Sequence, residues 1–429
     1  MAVTGPTAKK QFVIVLGLNG LISLVVWFYI TTYPGLIWSA TSSMTACLPA
    51  KSKDLKEWKA ENLTNSFSVE VNFEPTDNSK TYRDRNTLLY EKCETLPVDR
   101  VRGRRPIYFF AKSKSLAFCK VPKAGSTFVG TVVAALELRK KPGNMFHMSL
   151  AIVHGQNEVD FSTLSKYSSS VVKKILVTRN PYTRLFSAFT DKYFVLGARP
   201  KTIATKKGKG RFEMRNGYCG YDISFQEFLD YFTDLHIAGK EVEEHTMPVS
   251  SLCYPCMVHY NILCKQETLT ADIEYVLSVT NISEPRRQTV MELIRSKSLN
   301  DTIYASVSYH MLYFNLYPND CSSKILLMEK VWKVFQLQGY ISLSLTFPIN
   351  SFQNLTDFDA ENVTTLILEQ IQSRPLSKSQ MSKQRQIALA EAYSSIKPST
   401  IARVQRMFAQ DFHLFGYDKT IPTRHGKNH

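Results

Sequence analysis

The fold is decided by the stretch Leu116-Ala-Phe-Cys-Lys-Val-Pro-Lys-Ala-Gly-Ser-Thr-Phe128. Its apolar residues as far as Val121 predict a short buried strand, and Pro122–Thr127 form a turn. A helix follows, because apolar residues then recur on one helical face: Val129, Val132, Val133 and Leu136. A second strand, Ile175–Thr178, is also followed directly by a helical pattern. Repeated strand–turn–helix units predict an α/β fold with a central parallel sheet.

The turn after the first strand has the composition of an anion site. Ser126 and Thr127 stand where the helix begins, and free N–H groups and the helix dipole favour negative charge there. Gly125 lets the backbone approach a ligand, and Lys123 adds a mobile positive charge. A nucleotide-binding loop of the Walker type has its Lys after the second of two glycines. Here the Lys precedes a single Gly, which disfavours an ordinary nucleoside triphosphatase and leaves a plain strand–helix turn as the alternative.

The second unit carries an arginine at the end of its strand. Asn180 and Pro181 are typical of an N-cap and a first helical residue, so Arg179 falls at the carboxyl end of the strand. Ligands of open α/β sheets bind at that edge, and a guanidinium suits a phosphate. Ser187 lies two turns into the helix and can donate a second hydrogen bond. The alternative is a helix with an incidental Arg and Ser.

Together these two motifs resemble those of the Golgi carbohydrate sulfotransferases. Pro122-Lys-x-Gly-Ser-Thr127 is followed by Arg179-x-Pro-x-x-Arg-Leu-x-Ser-Ala-Phe189, as in the family that includes the chondroitin 4-O-, dermatan 4-O- and natural-killer-epitope sulfotransferases. The block from His245 to Leu269, with its Leu-Cys-x-Pro-Cys core, and the ending Asp411-Phe-His-Leu-Phe-Gly-Tyr-Asp418 resemble the same family. The resemblance covers residues 106–275 and 380–418, and it is poor between them.

The resemblance implies a single sulfotransferase domain that uses 3′-phosphoadenosine-5′-phosphosulfate and needs no metal. Arg179 and Ser187 would hold the 3′-phosphate. The loop that would hold the 5′-phosphosulfate consists of Pro122, Lys123, Ala124, Gly125, Ser126 and Thr127. Two departures are Phe128, where many relatives carry Asn-Trp, and Thr246-Met, where His-Trp is usual.

The expected reaction is in-line attack of a sugar hydroxyl on sulfur, with release of adenosine 3′,5′-bisphosphate. Positioning and charge neutralisation would supply most of the catalysis, with Lys123 stabilising charge on the bridging oxygen. A general base should accept the hydroxyl proton. His154 is the candidate, His147 and Glu158 are alternatives, and a surface loop position is the other interpretation of His154.

The chain carries 53 Lys and Arg against 37 Asp and Glu, a formal net charge of +16. This excess favours an anionic partner, namely nucleic acid, a membrane surface or an acidic polysaccharide. Seven of these cations lie in residues 199–215, among them Lys206, Lys207 and Lys209. We interpret this loop as a binding surface for an anionic glycan or glycosaminoglycan acceptor, with a solvated surface as the alternative. His245 is expected to line the acceptor site or to cap a structural turn.

The N-terminus predicts the compartment. Phe12–Ile30 is a 19-residue run without charge, long enough to cross about 30 Å of hydrocarbon. Lys9 and Lys10 precede it, which predicts a cytoplasmic tail 1–11, a transmembrane signal anchor 12–38, a lumenal stem 39–105 and a catalytic domain 106–429. A cleaved signal peptide is the alternative. With the resemblance, this topology predicts a single-pass type II protein of the Golgi membrane and argues against nucleic acid.

All eight cysteines follow the predicted anchor, where disulfides persist. Cys253-x-x-Cys256 could bind zinc together with His259 and Cys264, but a lumenal address favours structural disulfides. Cys119 lies in a predicted buried strand, and we expect it to remain a free thiol.

Two other functions compete with glycan sulfation. The first is an inactive lumenal protein that keeps the fold and binds sulfated glycans, and the presence of Lys123, Arg179 and Ser187 argues against it. The second is a kinase-like phosphotransferase, which the missing Walker pattern disfavours. The residues leave open the acceptor and its hydroxyl, with position 4 of N-acetylgalactosamine, in chondroitin or dermatan chains or in N- or O-glycans, as the family's usual target.

Overall fold

A computed structural model describes residues 77–96, 105–138, 157–167, 171–195, 223–316 and 323–424, with the single positions 153, 155, 202 and 203. Its centre is a five-stranded sheet in the order β3-β1-β2-β4-β5. The strands are β1 Ile107–Ala111, β2 Leu116–Cys119, β3 Glu158–Asp160, β4 Lys173–Thr178 and β5 Ile262–Lys265. Strands β2 and β4 are buried along most of their length, as their continuous apolar runs predict.

The sheet is mixed, which corrects the expectation of a parallel sheet. Strands β2, β4 and β5 are parallel, with Phe118 opposite Ile175 and Val177 opposite Cys264. Strand β1 is antiparallel to both of its neighbours. The reason is the connection: β1 and β2 are joined by a single short 3₁₀ turn, Lys112–Lys114, which can only reverse the chain, whereas parallel strands need a long crossover.

Helices cover the sheet and extend beyond it. The helices before, between and directly after the strands are α1 Asp77–Glu94, α2 Ser126–Glu137, α3 Phe161–Leu164, α4 Pro181–Lys192, α5 Phe225–Ile237, α6 Val249–Cys253 and α7 Leu269–Ser278. The later helices are α8 Glu284–Ser296, α9 Leu299–Leu316, α10 Lys324–Leu337, α11 Ile349–Gln353, α12 Ala360–Ser373, α13 Lys378–Ser394, α14 Pro398–Met407 and α15 Ala409–Phe415. The stretches 323–340 and 380–410, whose sequences are amphipathic, lie largely in these later helices.

Helix α1 lies inside the segment that the sequence assigned to a stem, residues 39–105. It packs along β5: the Tyr90 hydroxyl donates to the Tyr260 carbonyl at 2.7 Å, and Arg85 pairs with Asp272 at 2.7 Å. Tyr82 and Leu89 are its buried apolar residues, too few for a search for apolar periodicity to reveal the helix. Residues 77–94 are therefore a packed part of the domain.

The apolar interior consists of two clusters. One surrounds the sheet and includes strand residues such as Phe109 and Phe118. The other lies among α9, α10, α11 and α12, around Trp332, Phe335 and Phe352. This second cluster accounts for much of the region that the sequence motifs leave unexplained.

Within the part of the chain described above, no helix is both long and apolar enough to cross a membrane. The predicted anchor at residues 12–38 falls outside that part.

Candidate active site

The loop Pro122–Thr127 connects β2 to α2, as the sequence predicts, and two of its residues have left-handed backbone. Lys123 has φ +66° and Gly125 has φ +83°. A Cβ on Gly125 would clash with the side chain of Leu269, and the positive φ disfavours any residue that has a Cβ. Helix α2 begins at Ser126, with no side chain capping its N-terminus. The first turn of this helix therefore presents its N–H groups and positive dipole end at the loop, as an anion site requires.

Lys123 and Lys192 converge on one carboxylate oxygen. The Lys123 Nζ lies 2.9 Å from Asp191 Oδ2, and the Lys192 Nζ lies 3.1 Å from the same atom. Burial alone would raise the pKa of Asp191, but the two ammonium groups outweigh it and hold that pKa well below its usual value. Burial lowers the pKa of Lys123, and Asp191 partly opposes the shift. The site thus holds two cations for one permanent anion.

Lys192 is fixed from a second side by α9. Its ammonium donates to the Tyr309 hydroxyl at 2.7 Å and lies 3.9 Å from the centroid of that ring. The next residue, His310, is buried against the same charges, and burial lowers its pKa to about 4. His310 is therefore neutral near neutral pH.

Arg179 joins the two predicted motifs. It follows β4, its Nη1 donates to the Lys123 carbonyl at 2.7 Å, and its Nε donates to Thr183 Oγ1 at 3.1 Å. Burial lowers its pKa, with partial compensation from Glu267. The side chain of Asn180 caps α4 by accepting from the N–H groups of Tyr182 and Thr183, which confirms the predicted helix start.

Ser187 lies half-buried on α4. It is three residues after Arg184 and four before Asp191, so all three share one face of the helix. That face looks toward the loop of Lys123, as the Asp191 contact demonstrates. Ser187 therefore lies on the face of α4 that is turned toward the loop of Lys123, where the sequence predicts the phosphosulfate site.

Arg184 is a residue whose importance the sequence analysis missed. It is fully buried and donates to three backbone carbonyls: Pro122 at 2.9 Å, Met247 at 2.5 Å and Glu244 at 3.0 Å. Burial lowers its pKa to about 10, and nearby Asp411 is the largest opposing influence. One signal was available, because Arg184 stands among buried residues of α4, and a charge on a buried face requires fixed partners.

Asp411 completes this arrangement from the C-terminal signature. Its two carboxylate oxygens accept from the N–H groups of Val249 and Ser250, at 2.7 and 2.8 Å, at the start of α6. Burial raises its pKa, although these hydrogen bonds oppose the shift. The C-terminal signature thus fixes the segment that carries His245.

His245 lies on this segment, between the two carbonyls that Arg184 binds. Its Nδ1 contacts Glu243 Oε1, and its backbone N–H donates to Glu243 Oε2 at 3.0 Å. Since Arg184 also holds the Pro122 carbonyl, His245 and the Lys123 loop share one framework.

Several predicted residues cannot be placed. The candidate base His154, its alternative His147 and the acceptor lysines Lys206, Lys207 and Lys209 lie outside the described residues. The other alternative base, Glu158, lies on β3 and pairs with Lys120 at 2.7 Å.

The cysteines give one confirmation and one correction. Cys253 and Cys256 both form disulfides, with Cys119 and Cys93 respectively, as the lumenal interpretation predicts. The expectation that Cys119 stays free is wrong, because β2 carries it next to α6. Among the cysteines that the structure describes, Cys264 is buried and free. The zinc alternative for Cys253-x-x-Cys256 also fails, since both thiols are oxidised, and no metal-binding cluster occurs among the residues the structure describes.

Comparison with known proteins adds an independent finding. Residues 106–312 match the sulfotransferase family. Carbohydrate sulfotransferase 11 of Mus musculus is 30% identical over 226 residues, 48% of this chain and 58% of that protein. Carbohydrate sulfotransferase 10 of Xenopus laevis is 29% identical over 202 residues, 41% of this chain and 53% of that protein. Carbohydrate sulfotransferase 9 of Homo sapiens is 30% identical over 183 residues, 40% of each chain.

The chain therefore spans about half the length of the curated relatives it matches. No solved structure matches it significantly.

Proposed function

We propose that the chain, whose residues 106–312 match the sulfotransferase family, transfers a sulfuryl group from 3′-phosphoadenosine-5′-phosphosulfate to a hydroxyl group of a glycan. The observation that carries the proposal is the bond from Arg179 Nη1 to the Lys123 carbonyl. It joins the two motifs, 56 residues apart, into one cationic site at the end of the sheet. Ligands of such sheets bind at this edge.

The residues present fit the donor. Lys123, Gly125, Ser126 and Thr127 would receive the 5′-phosphosulfate, because the loop combines an ammonium group with a helix N-terminus. The glycine admits close backbone approach. Arg179 and Ser187 would bind the 3′-phosphate, for which a guanidinium is well suited.

In the proposed reaction the sugar oxygen forms a bond to sulfur while the bond from sulfur to the bridging phosphate oxygen breaks. The electron pair of the broken bond leaves with the bisphosphate. Lys123 would stabilise that charge, and oriented cations in a water-poor site do this well. A histidine would accept the hydroxyl proton, and His154 is the sequence-based candidate.

We propose an anionic glycan as acceptor, with position 4 of N-acetylgalactosamine as the target hydroxyl. The relatives' printed name, carbohydrate sulfotransferase, supports a glycan, and the excess of cations supports an acidic chain. Lys206, Lys207 and Lys209 would attract the acceptor, and His245 would line its site. We propose that the predicted anchor holds this activity in the Golgi lumen.

The test uses the full-length chain in detergent with radiolabelled donor and a panel of glycans that contain or lack N-acetylgalactosamine. We expect label in the former, equal in amount to the bisphosphate released. Binding of bisphosphate without transfer to any glycan would contradict the proposal and favour the inactive glycan-binding protein.

A further inference from the structure

We propose that Lys192 is a second cation for the transferred sulfuryl group, and that Asp191 positions Lys123 and Lys192 as a pair to receive it. This inference rests on the proposed function and names a further group in its site. The two ammonium nitrogens lie 2.9 and 3.1 Å from the single atom Asp191 Oδ2. Because both contact the same atom, the two ammonium groups are held side by side, and two neighbouring cations suit an anionic sulfuryl group.

The ammonium of Lys192 is held rigidly. Within the described residues, its hydrogen-bond partners are Asp191 and the Tyr309 hydroxyl, and the Tyr309 ring lies beneath it at 3.9 Å. An ammonium group has three donors, so one remains for a ligand. A side chain that is already fixed loses little further entropy when it binds.

The surrounding charges fit this role. Lys192 remains fully protonated, because Asp191 and Tyr309 raise its pKa despite burial. His310, the residue after Tyr309 on α9, is neutral near neutral pH. Lys123 and Lys192 together outnumber the carboxylate of Asp191, which favours an incoming anion.

Lys123 and Lys192 would contact different oxygens of the reacting group. The sugar oxygen gains the bond to sulfur, the bridging oxygen keeps the electron pair of the broken bond, and the hydroxyl proton passes to the base. Lys123 faces the bridging oxygen in the proposed function. Lys192 would donate to an oxygen that stays on sulfur, so it contacts the donor but not the bisphosphate product.

A purely structural role predicts something else. If Lys192 only braces α4 against α9 through Asp191 and Tyr309, its loss should affect donor and bisphosphate equally. The comparison of these two ligands therefore separates the alternatives.

The experiment compares Lys192→Met with Lys330→Met in the full-length chain. Lys330 on α10 is the matched control, since its ammonium also lies over an aromatic ring, that of Phe194 at 4.9 Å. We measure kcat, the Kd of intact donor without acceptor, and the Kd of bisphosphate. Lys192→Met should lower kcat about 100-fold and weaken donor binding about tenfold, while the Kd of bisphosphate changes less than about twofold. Lys330→Met should leave all three unchanged.

Equal losses of donor and bisphosphate affinity, or a kcat close to that of the wild type, would overturn the role of Lys192. Asp191→Asn tests the positioning role: kcat should fall about tenfold without loss of bisphosphate affinity, and Asp191→Glu should restore part of it. An unchanged kcat in Asp191→Asn would overturn that role. If the wild type sulfates no glycan, the proposed function fails, yet the binding comparison still decides whether Lys192 contacts the sulfuryl group.

Discussion

Two regions of this molecule are held together by different forces. At the end of the sheet, buried polar groups connect the chain: Arg184 binds three carbonyls, and Asp411 binds two N–H groups. In the helical region from α9 to α12, apolar side chains pack around Trp332 and Phe335. Apart from Asp411, the polar groups named here lie within residues 106–312, which match the sulfotransferase family. Most of the apolar region lies beyond residue 312.

Because of this difference, substitutions in the polar region and in the apolar region should affect stability and catalysis differently. Buried polar contacts fix backbone atoms in one arrangement, so their loss should damage stability and catalysis together. Apolar packing tolerates adjustment, so its loss should lower stability alone. Helix α9 belongs to both regions, since it contributes Ile303 and Val307 to the apolar cluster and Tyr309 to the site.

The largest expected effect is on catalysis, from Lys123→Met. We expect transfer to fall about 1,000-fold, because this ammonium is the cation of the phosphosulfate loop. The melting temperature should change little, since Asp191 keeps its contact with Lys192. The measurements are initial rates with labelled donor and a thermal melt, and a loss of less than tenfold would contradict the assignment.

Arg184→Met should have the largest effect on stability. It leaves three carbonyls without their donor and removes the charge near Asp411, which we expect to cost about 4 kcal/mol. Urea denaturation measures the loss. Arg424→Met is the control, because its pair with Glu391 is exposed and its loss should cost at most about 1 kcal/mol. If the two variants lost similar free energy of unfolding, the buried contacts of Arg184 would contribute no more to stability than an exposed ion pair.

His310 should make stability depend on pH. Burial lowers its pKa from 6.5 to about 4, with opposition from Asp191 and support from Lys192 and Lys123. Below pH 6.5 the unfolded chain takes up the proton first, so the free energy of unfolding should fall by about 3 kcal/mol as the pH drops from 6.5 to 4.

The comparison of wild type with His310→Gln isolates this contribution. Unfolding curves at several pH values give the free energy of unfolding. Between pH 6.5 and 4 this free energy should fall by about 3 kcal/mol less in the variant than in the wild type. A wild-type slope that the variant retains in full would assign the effect to other groups.

Val331→Ala should have the smallest effect and sharpen the contrast. Val331 is fully buried in the apolar cluster, and the lost methyl groups should cost about 2 kcal/mol. The value of kcat per folded molecule should stay unchanged. The exposed Leu343→Ala serves as control for stability. A fall in kcat at temperatures where Val331→Ala is folded would mean that the two regions are coupled.

Local patterns in the sequence predicted the site motifs well. The strand before Lys123, the cap at Asn180 and the start of α4 at Pro181 follow from neighbouring residues alone. Their meeting at one edge follows from the parallel pairing of β2 with β4.

The missed features depend on partners that are distant in the chain. Arg184 binds backbone carbonyls 60 to 63 positions away, and a carbonyl has no signature in the sequence. The pairing of Cys119 with Cys253, 134 residues apart, could not be read from spacing. The antiparallel β1 was missed because the short turn before β2 carries no strong turn residues.

The central claim is that Lys123 and Arg179 form one donor site for sulfuryl transfer. A single-turnover assay tests it most directly, with full-length chain, one equivalent of labelled donor and excess N-acetylgalactosamine-containing glycan. We expect label to appear on the glycan at the rate at which bisphosphate forms, and we expect Lys123→Met to produce neither. Label that is released as free sulfate whether or not glycan is present, or transfer that persists in Lys123→Met, would contradict it.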